Sequence, residues 1–266
     1  MKKVRRVEFK IKFTQKPEVE NPILIEGLPG IGHVGRIAAT YLCKELKAKK
    51  FAILYSCYFP PQVSIDYNGI VQPMKNEFYY WKAKEKNQRD LIILLGNTQS
   101  SSPEGQYYLA NKILEIAKEN NVELIYTLGG VGVGKTVEKP RVFGATTSKE
   151  FIPKLEELGV IMKRSLAGQI IGVSGLLLPF GKLLGIKGIC LMGETSGFYL
   201  DPVSAQKVLE VLCKLINVEI DMTRLAKKAK LTEKRVEEAQ RMERKIMEEM
   251  GILRREPTIE DLKYIG

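Results

Sequence analysis

The chain has 266 residues, 44% of them apolar and 27% charged, ordinary globular proportions that exclude disorder as the main state. Its most apolar stretch, Ile170 to Gly181, is shorter than the roughly 18 residues of a membrane span and is broken by Gly172, Gly175 and Pro179. The start, Met1-Lys-Lys-Val-Arg-Arg, lacks the apolar core of a secretory signal, so the expected setting is cytoplasmic and away from membranes.

Cysteines 43, 57, 190 and 213 are scattered, no C-x-x-C pair occurs, and His33 is the single histidine; this pattern speaks against a zinc or disulfide framework and against bound metal or cofactor. It also removes most Ser-His-Asp and Cys-His schemes, since His33 would have to serve as base in all of them. The net charge of +11 sits mostly at the ends: residues 1–16 hold seven Lys/Arg against one Glu, and residues 222–266 hold twelve against nine acids. The body between is nearly neutral, and no aromatics are interleaved with the basic residues, which argues against a nucleic-acid partner.

In chain order, Val7, Phe9, Ile11 and Phe13 alternate with charged residues, the period of an edge strand with one wet face. Ile23 to Glu26 reads as a strand, followed by a glycine-rich turn, a helix from about Val34 to Lys49, and a strand at Phe51 to Tyr55. This is a βαβ unit, which implies a mainly parallel sheet covered by helices. Asp66-Tyr-Asn-Gly69 marks a hairpin inserted over Val63 to Pro73, with Phe78 to Trp81 continuing the insertion. Leu91 to Leu95 is a buried strand, Pro103 to Glu119 a helix with proline in its first turn, and Val122 to Leu128 another strand. Helices over Lys149 to Leu158 and Pro202 to Ile216 flank a strand at Gly188 to Met192. The expected fold class is α/β, as one domain over residues 1–220.

Residues 221–266 are charged and strongly helix-forming: Leu225 to Ala229, then Thr232 to Met250 with Gly251 as C-cap. Val236, Ala239, Ile246 and Met250 leave a narrow apolar stripe, interrupted by Glu243, so this helix needs a partner or projects. About 19 helical residues at ~1.5 Å rise reach roughly 28 Å, enough for an arm. After Pro257, Thr258 and Asp261 are suited to cap one last turn.

Two stretches imitate phosphate-binding loops. Gly30-Ile-Gly-His-Val-Gly35 fits G-x-G-x-x-G between strand and helix, but no acid ends the following strand to hold a ribose, and Pro29 is foreign to that fingerprint. Gly129 to Thr136 matches G-x-x-x-x-G-K-T, yet Pro140 stands where the required helix would make its second turn. Both are expected to serve as tight turns and close packing points, with no nucleotide hydrolysis. Gly193-Glu-Thr-Ser-Gly197 places Glu194 and Asp201 near the carboxyl end of a strand, where acid and base work and helix capping by Asp201 are both open readings.

Taken in order, Ile25-Glu-Gly-Leu-Pro-Gly-Ile-Gly-His-Val-Gly35, Gly129-Gly-Val-Gly132, Val173-Ser-Gly-Leu-Leu-Leu178 and Gly193-Glu-Thr-Ser-Gly197 resemble the PAC2 family, the proteasome assembly chaperones, and above all their archaeal homologues. The likeness covers about residues 20–216. It implies a three-layer α/β fold similar to nucleoside phosphorylases without their activity, a cytoplasmic homo-oligomer, binding to proteasome α-subunits and a helical C-terminal extension. Proteasome-binding proteins of several kinds end in a hydrophobic residue, tyrosine and any residue. Here Tyr264 is third from the end, and Leu262, Tyr264, Ile265 and the carboxylate of Gly266 are the residues expected to dock. The competing expectation is an enzyme on a phosphorylase-like scaffold, with phosphate on the Gly30 to Gly35 loop and Glu194 turned to the substrate. The insertion Phe78 to Trp81 and the loop Leu176 to Phe180 are the apolar surfaces expected to join copies, four being the preferred number.

Overall fold

The computed structural model describes residues 8–162, 168–227, 229, 231 and 242. Fifteen regular elements are described: β1 (Phe9–Phe13), β2 (Ile23–Gly27), α1 (Val34–Glu45), β3 (Lys49–Ser56), β4 (Val63–Ile65), β5 (Val71–Pro73), β6 (Asn76–Trp81), β7 (Leu91–Gly96), α2 (Pro103–Glu119), β8 (Leu124–Gly132), β9 (Val142–Thr146), α3 (Ile152–Glu157), α4 (Val173–Leu183), β10 (Lys187–Thr195) and α5 (Pro202–Ile216). Eight strands form one sheet in the order β1-β3-β6-β7-β2-β8-β10-β9, and β4 and β5 form a separate ribbon.

The sheet's centre, β7-β2-β8-β10, is parallel, in register at Ile25 against Ile93 and Tyr126. The remaining strands add on antiparallel, three on one side and β9 on the other. The central strands are near-continuous apolar runs because both faces are covered. Ile23 and Ile25 point into a cluster with Ala38 and Leu42 of α1 and Val208 and Leu209 of α5. Leu24 points the other way, to Leu109 and Ile113 of α2 and Leu177 of α4. That is the three-layer α/β architecture expected. Helix starts follow local capping rules: Ser102 accepts the Gly105 amide at 3.1 Å before Pro103, and Asp201 accepts the Ser204 amide at 2.8 Å before Pro202.

Two expected surfaces are placed differently from the expectation. Phe78 to Trp81 is not part of the inserted hairpin but lies in β6, between β3 and β7, with Phe78, Tyr80 and Trp81 buried. Leu176 to Phe180 is not a loop: it lies inside α4, with Leu177 and Leu178 buried. Phe78 to Trp81 thus lacks the exposed apolar area assigned to joining copies, whereas in Leu176 to Phe180 Pro179 is exposed and Leu176 and Phe180 are half-buried. Beyond α5, the Tyr41 hydroxyl donates to the Asp221 carbonyl at 2.7 Å, residues 223–227 are helical, and Leu225 is buried in the cluster of α1 and α5. The root of the C-terminal segment therefore rests on the body. The expected strand start at Val7 and the expected helix and tail from Thr232 on, apart from Met242, lie outside the described residues.

One charge is buried in the central strand. Glu26 is fully enclosed; its Oε1 accepts the Leu28 amide at 2.8 Å, while Oε2 has no partner in hydrogen-bonding geometry. Burial pushes its carboxyl from 4.5 up to about 7, against the weaker opposing pull of the Leu28 amide, the Ser174 hydroxyl and the Leu128 backbone. The folded state thus favours the neutral acid. The stability this gives is complete below about pH 4.5 and is lost as pH rises through about 7. Glu26→Gln, which mimics the neutral acid, should raise the unfolding free energy at about pH 8 by on the order of 1–3 kcal/mol and give a vanishing gain near pH 4.5, measured by urea titration. An equal effect at both pH values would contradict this assignment. A second outcome follows from packing: a Cβ on Gly35 would stand 2.0 Å from the Leu128 carbonyl oxygen, so Gly35→Ala should cost about 1–3 kcal/mol in the same titration, and a neutral result would refute the close approach of α1 to β8.

Candidate functional site

The glycine stretches converge at the carboxyl ends of the parallel strands, where open α/β sheets hold ligands. Gly27 ends β2, and the chain turns through Pro29 and Gly30 into a short 3-10 turn, Ile31–His33, before α1. Gly32 (φ 60°) and His33 (φ 51°) both adopt left-handed conformations there, and Gly32 presses against Thr195, whose Oγ1 would be 2.8 Å from an added Cβ. His33 is half-buried, and its imidazole is held below its usual pKa by burial and by neighbouring Arg36.

Protein side chains brace this loop. Gln99, just beyond β7, donates from Nε2 to the Pro29 carbonyl at 2.6 Å and accepts the Val173 amide on Oε1 at 3.0 Å. One side chain thus ties the Gly27 to Gly30 turn to the start of α4 and occupies an amide that an anion would otherwise use. Close to Gly35, the helix axis sits directly on the β8 backbone, so the third glycine of the G-x-G-x-x-G pattern serves helix–strand packing.

The second pattern lies differently from a phosphate loop. Gly129 to Gly132 belongs to β8 itself, paired with Met192 to Thr195 of β10; Lys135 is exposed in the following turn, and the chain continues to β9 without a helix. The requirement of a helix N-terminus at Lys135-Thr136 is unmet.

Glu194 is the last but one residue of β10 and not part of a loop beyond it. Its carboxylate is almost wholly buried and is gripped by Arg141, whose Nε and Nη2 donate at 2.8 and 2.6 Å, with the Arg141 amide at 3.3 Å. That bidentate pair, first through its hydrogen bonds, holds the Glu194 carboxyl below its usual range and the Arg141 guanidinium above its own. Arg141 in turn lies 5.4 Å from the Phe143 ring centroid. Glu194 therefore fastens the crossing from β8 to β9 onto β10; the arrangement of a phosphate loop with Glu194 facing it is not formed. Asp201 caps α5, and its amide donates to the Gly32 carbonyl at 2.9 Å, tying the two loops together.

Around this end the surface is apolar with a basic fringe. Ile31, Phe198 (71% exposed), Tyr199 and Leu200 stand in solvent, and a groove of about 750 Å³ between α1 and the root of the C-terminal segment is lined by Ile37, Tyr41, Leu200 and Leu231 with Arg36 and Lys44 at its edge. Among the described residues there is no cluster of His, Cys, Asp and Glu able to hold a metal, and no helix is long and apolar enough to cross a membrane. The docking residues expected at the tail, Leu262, Tyr264, Ile265 and Gly266, lie outside the described residues. Sequence reasoning missed Gln99 and Arg141, whose partners are 70 and 53 positions away. Glu26 did leave a signal, a lone acid ending an apolar strand run.

This geometry has close counterparts. The sequence profile of the PAC2 family matches residues 24–240. The uncharacterised protein MJ1210 of Methanocaldococcus jannaschii is 47% identical over 93% of this chain and 93% of its own. Pyrococcus furiosus PbaB, described as an archaeal proteasome activator, matches with a TM-score of 0.84 at 42% identity, over 88% of this chain and 99% of that one. Pyrococcus furiosus PbaA, described as an archaeal homolog of proteasome-assembly chaperone, matches with a TM-score of 0.70 at 34% identity, over 86% of this chain and 94% of its own. With the family profile spanning most of the chain, and with glycine loops used for packing in the order that the profile covers, this protein belongs to the PAC2 family.

Proposed function

We propose that this protein is a cytoplasmic, non-enzymatic proteasome assembly chaperone or activator, working as a homo-oligomer, four copies being preferred. The observation that carries the reading is the likeness to PbaB, which extends over nearly the whole of both chains at 42% identity. The chain after Gly129 to Thr136, which runs to β9 without a helix, and the pairing of Glu194 with Arg141 support it over a phosphate-binding enzyme.

In this reading, residues 221–266 form an arm whose root is fixed by Leu225 and whose end carries Leu262, Tyr264, Ile265 and the Gly266 carboxylate to the proteasome α-subunits. An apolar side chain, a tyrosine and a terminal carboxylate meeting a lysine make a small contact. Several copies presented together convert weak contacts into firm binding through effective concentration. Neither nucleic acid nor membrane enters the scheme.

Removing residues 263–266, or changing Tyr264→Ala, should weaken capture of proteasome α-subunits at least tenfold and abolish any stimulation of peptide hydrolysis, with the oligomer intact by light scattering. Undiminished capture by the truncated chain would make the α/β body the docking surface. Lys135→Ala should leave capture unchanged, and calorimetry should give no magnesium-dependent ATP binding to the wild type. Tight ATP binding lost in that variant would restore the phosphate-loop reading.

A further inference from the structure

The β4–β5 ribbon is patterned inside out. Its pairs are Val63 with Pro73, Ser64 with Gln72 and Ile65 with Val71. An antiparallel ribbon normally turns its apolar side to the core and its polar side to water. Here the polar pair, Ser64 and Gln72, is the half-buried one, whereas Val63, Ile65 (69% exposed) and Val71 face outward, and Tyr67 and Ile70 are bare at the turn. The ribbon is firmly shaped: Asp66 Oδ1 accepts the Asn68 and Ile70 amides at 2.9 Å each, and the Asp66 amide donates to the Ile70 carbonyl at 3.1 Å. A rigid arm with an apolar outer face exposes a surface that monomers seldom leave wet.

Its surroundings indicate what covers it. At the ribbon's base runs an open groove of about 650 Å³ walled by Tyr55, Phe59, Pro60, Pro61 and Met74, with Lys10 also lining it. From Phe51 to Met74, in a chain that is 27% charged, Asp66 is the lone residue among Asp, Glu, Lys and Arg, and its carboxylate is engaged by its own turn. Charge depletion with aromatic enrichment marks the core of a protein interface. On this face the arm carries Asp66 and the groove carries Lys10, charges of opposite sign, so two copies can meet here without like charges in contact. Knob and slot lie side by side on one such face, the arrangement that a two-fold contact requires, since each copy then offers both halves.

We propose that the ribbon Val63–Pro73 is the arm by which a second copy of this chain is joined, the tip of each arm, Ile65, Tyr67 and Ile70, lying in the groove at the base of the other. The proposal rests on the homo-oligomer reading above and supplies its contact. It is placed ahead of Phe78 to Trp81, which lies within the sheet, and of Leu176 to Phe180, which is half-buried in α4.

The full chain carrying Ile65→Lys and Val71→Lys should show a self-association constant at least 100-fold weaker by sedimentation velocity, the mass falling to half or to a single chain, with an unchanged circular dichroism spectrum because both side chains are outside the core. An independent variant tests the fit of the tip: Tyr67→Cys, treated with diamide, should form a disulfide with the exposed Cys57 of the second copy in the groove, giving a covalent dimer on a denaturing gel that is lost when Cys57→Ser is added. A wild-type chain that is monomeric at micromolar concentration would overturn the homo-oligomer reading and this proposal with it. An oligomeric wild type whose lysine variant keeps the full mass, or whose Tyr67→Cys variant gives no Cys57-dependent dimer, would overturn the placement of the contact alone.

Discussion

The structure depends on the direct seating of α1 on the backbone of β8. A Cβ at Gly35 would lie 2.0 Å from the Leu128 carbonyl oxygen, and one at Gly27 would lie 2.2 Å from the Ala39 side chain, so both positions must be glycine for the helix to come this close. That approach sets the course of the Gly27 to His33 turn, presses Gly32 on Thr195 and brings the Asp201 amide to the Gly32 carbonyl. The ends of β2, β8 and β10 and the start of α5 are thereby locked into one unit. A nucleotide-binding fold uses such glycines to admit a phosphate; here Gly32 and Gly35 serve close contacts with Thr195 and Leu128.

Polar groups follow the same economy. Helix α4 begins with its first amide bonded to Gln99, and the near-buried Glu194 is neutralised by a forked Arg141 that comes in from the surface. Glu26 is the exception, one oxygen paired and one not, and its raised pKa is the physical consequence. Buried ion pairs and buried acids seldom add net stability. Their contribution is to fix which strand lies beside which, and the mixed right-hand edge, where β9 runs antiparallel to β10, is held at the point where Arg141 meets Glu194.

Periodicity in the sequence revealed the βαβ start, the edge strand, the inserted hairpin and the helices α2 and α5, because each has a local apolar rhythm and a local cap. What escaped was decided over long distances. Phe78 to Trp81 follows the hairpin in sequence and reads as part of it, yet pairing with β3 and β7 makes it a central strand. Leu176 to Phe180 contains Pro179 and reads as a loop, but burial of Leu177 and Leu178 against the sheet carries the helix through. Gly129 to Gly132 has poor strand propensity, and the ladder with β10 imposes extended structure on it. At the candidate site, the lack of a helix after Gly129 to Thr136 was legible from Pro140, whereas the bonds of Gln99 and Arg141 had no local signature.

The protein is thus an α/β body in which Gly32 and Gly35 make close internal contacts and Ile31, Phe198 and Leu200 remain exposed. In the proposed function, the tail is the part that carries proteasome binding. A synthetic peptide of residues 258–266, titrated against the full-length oligomer bound to isolated proteasome α-subunit rings, tests that claim most directly. Displacement of the oligomer, at peptide concentrations far above the oligomer's own because the peptide binds one site at a time, is the expected result. An oligomer that stays fully bound at millimolar peptide would contradict it.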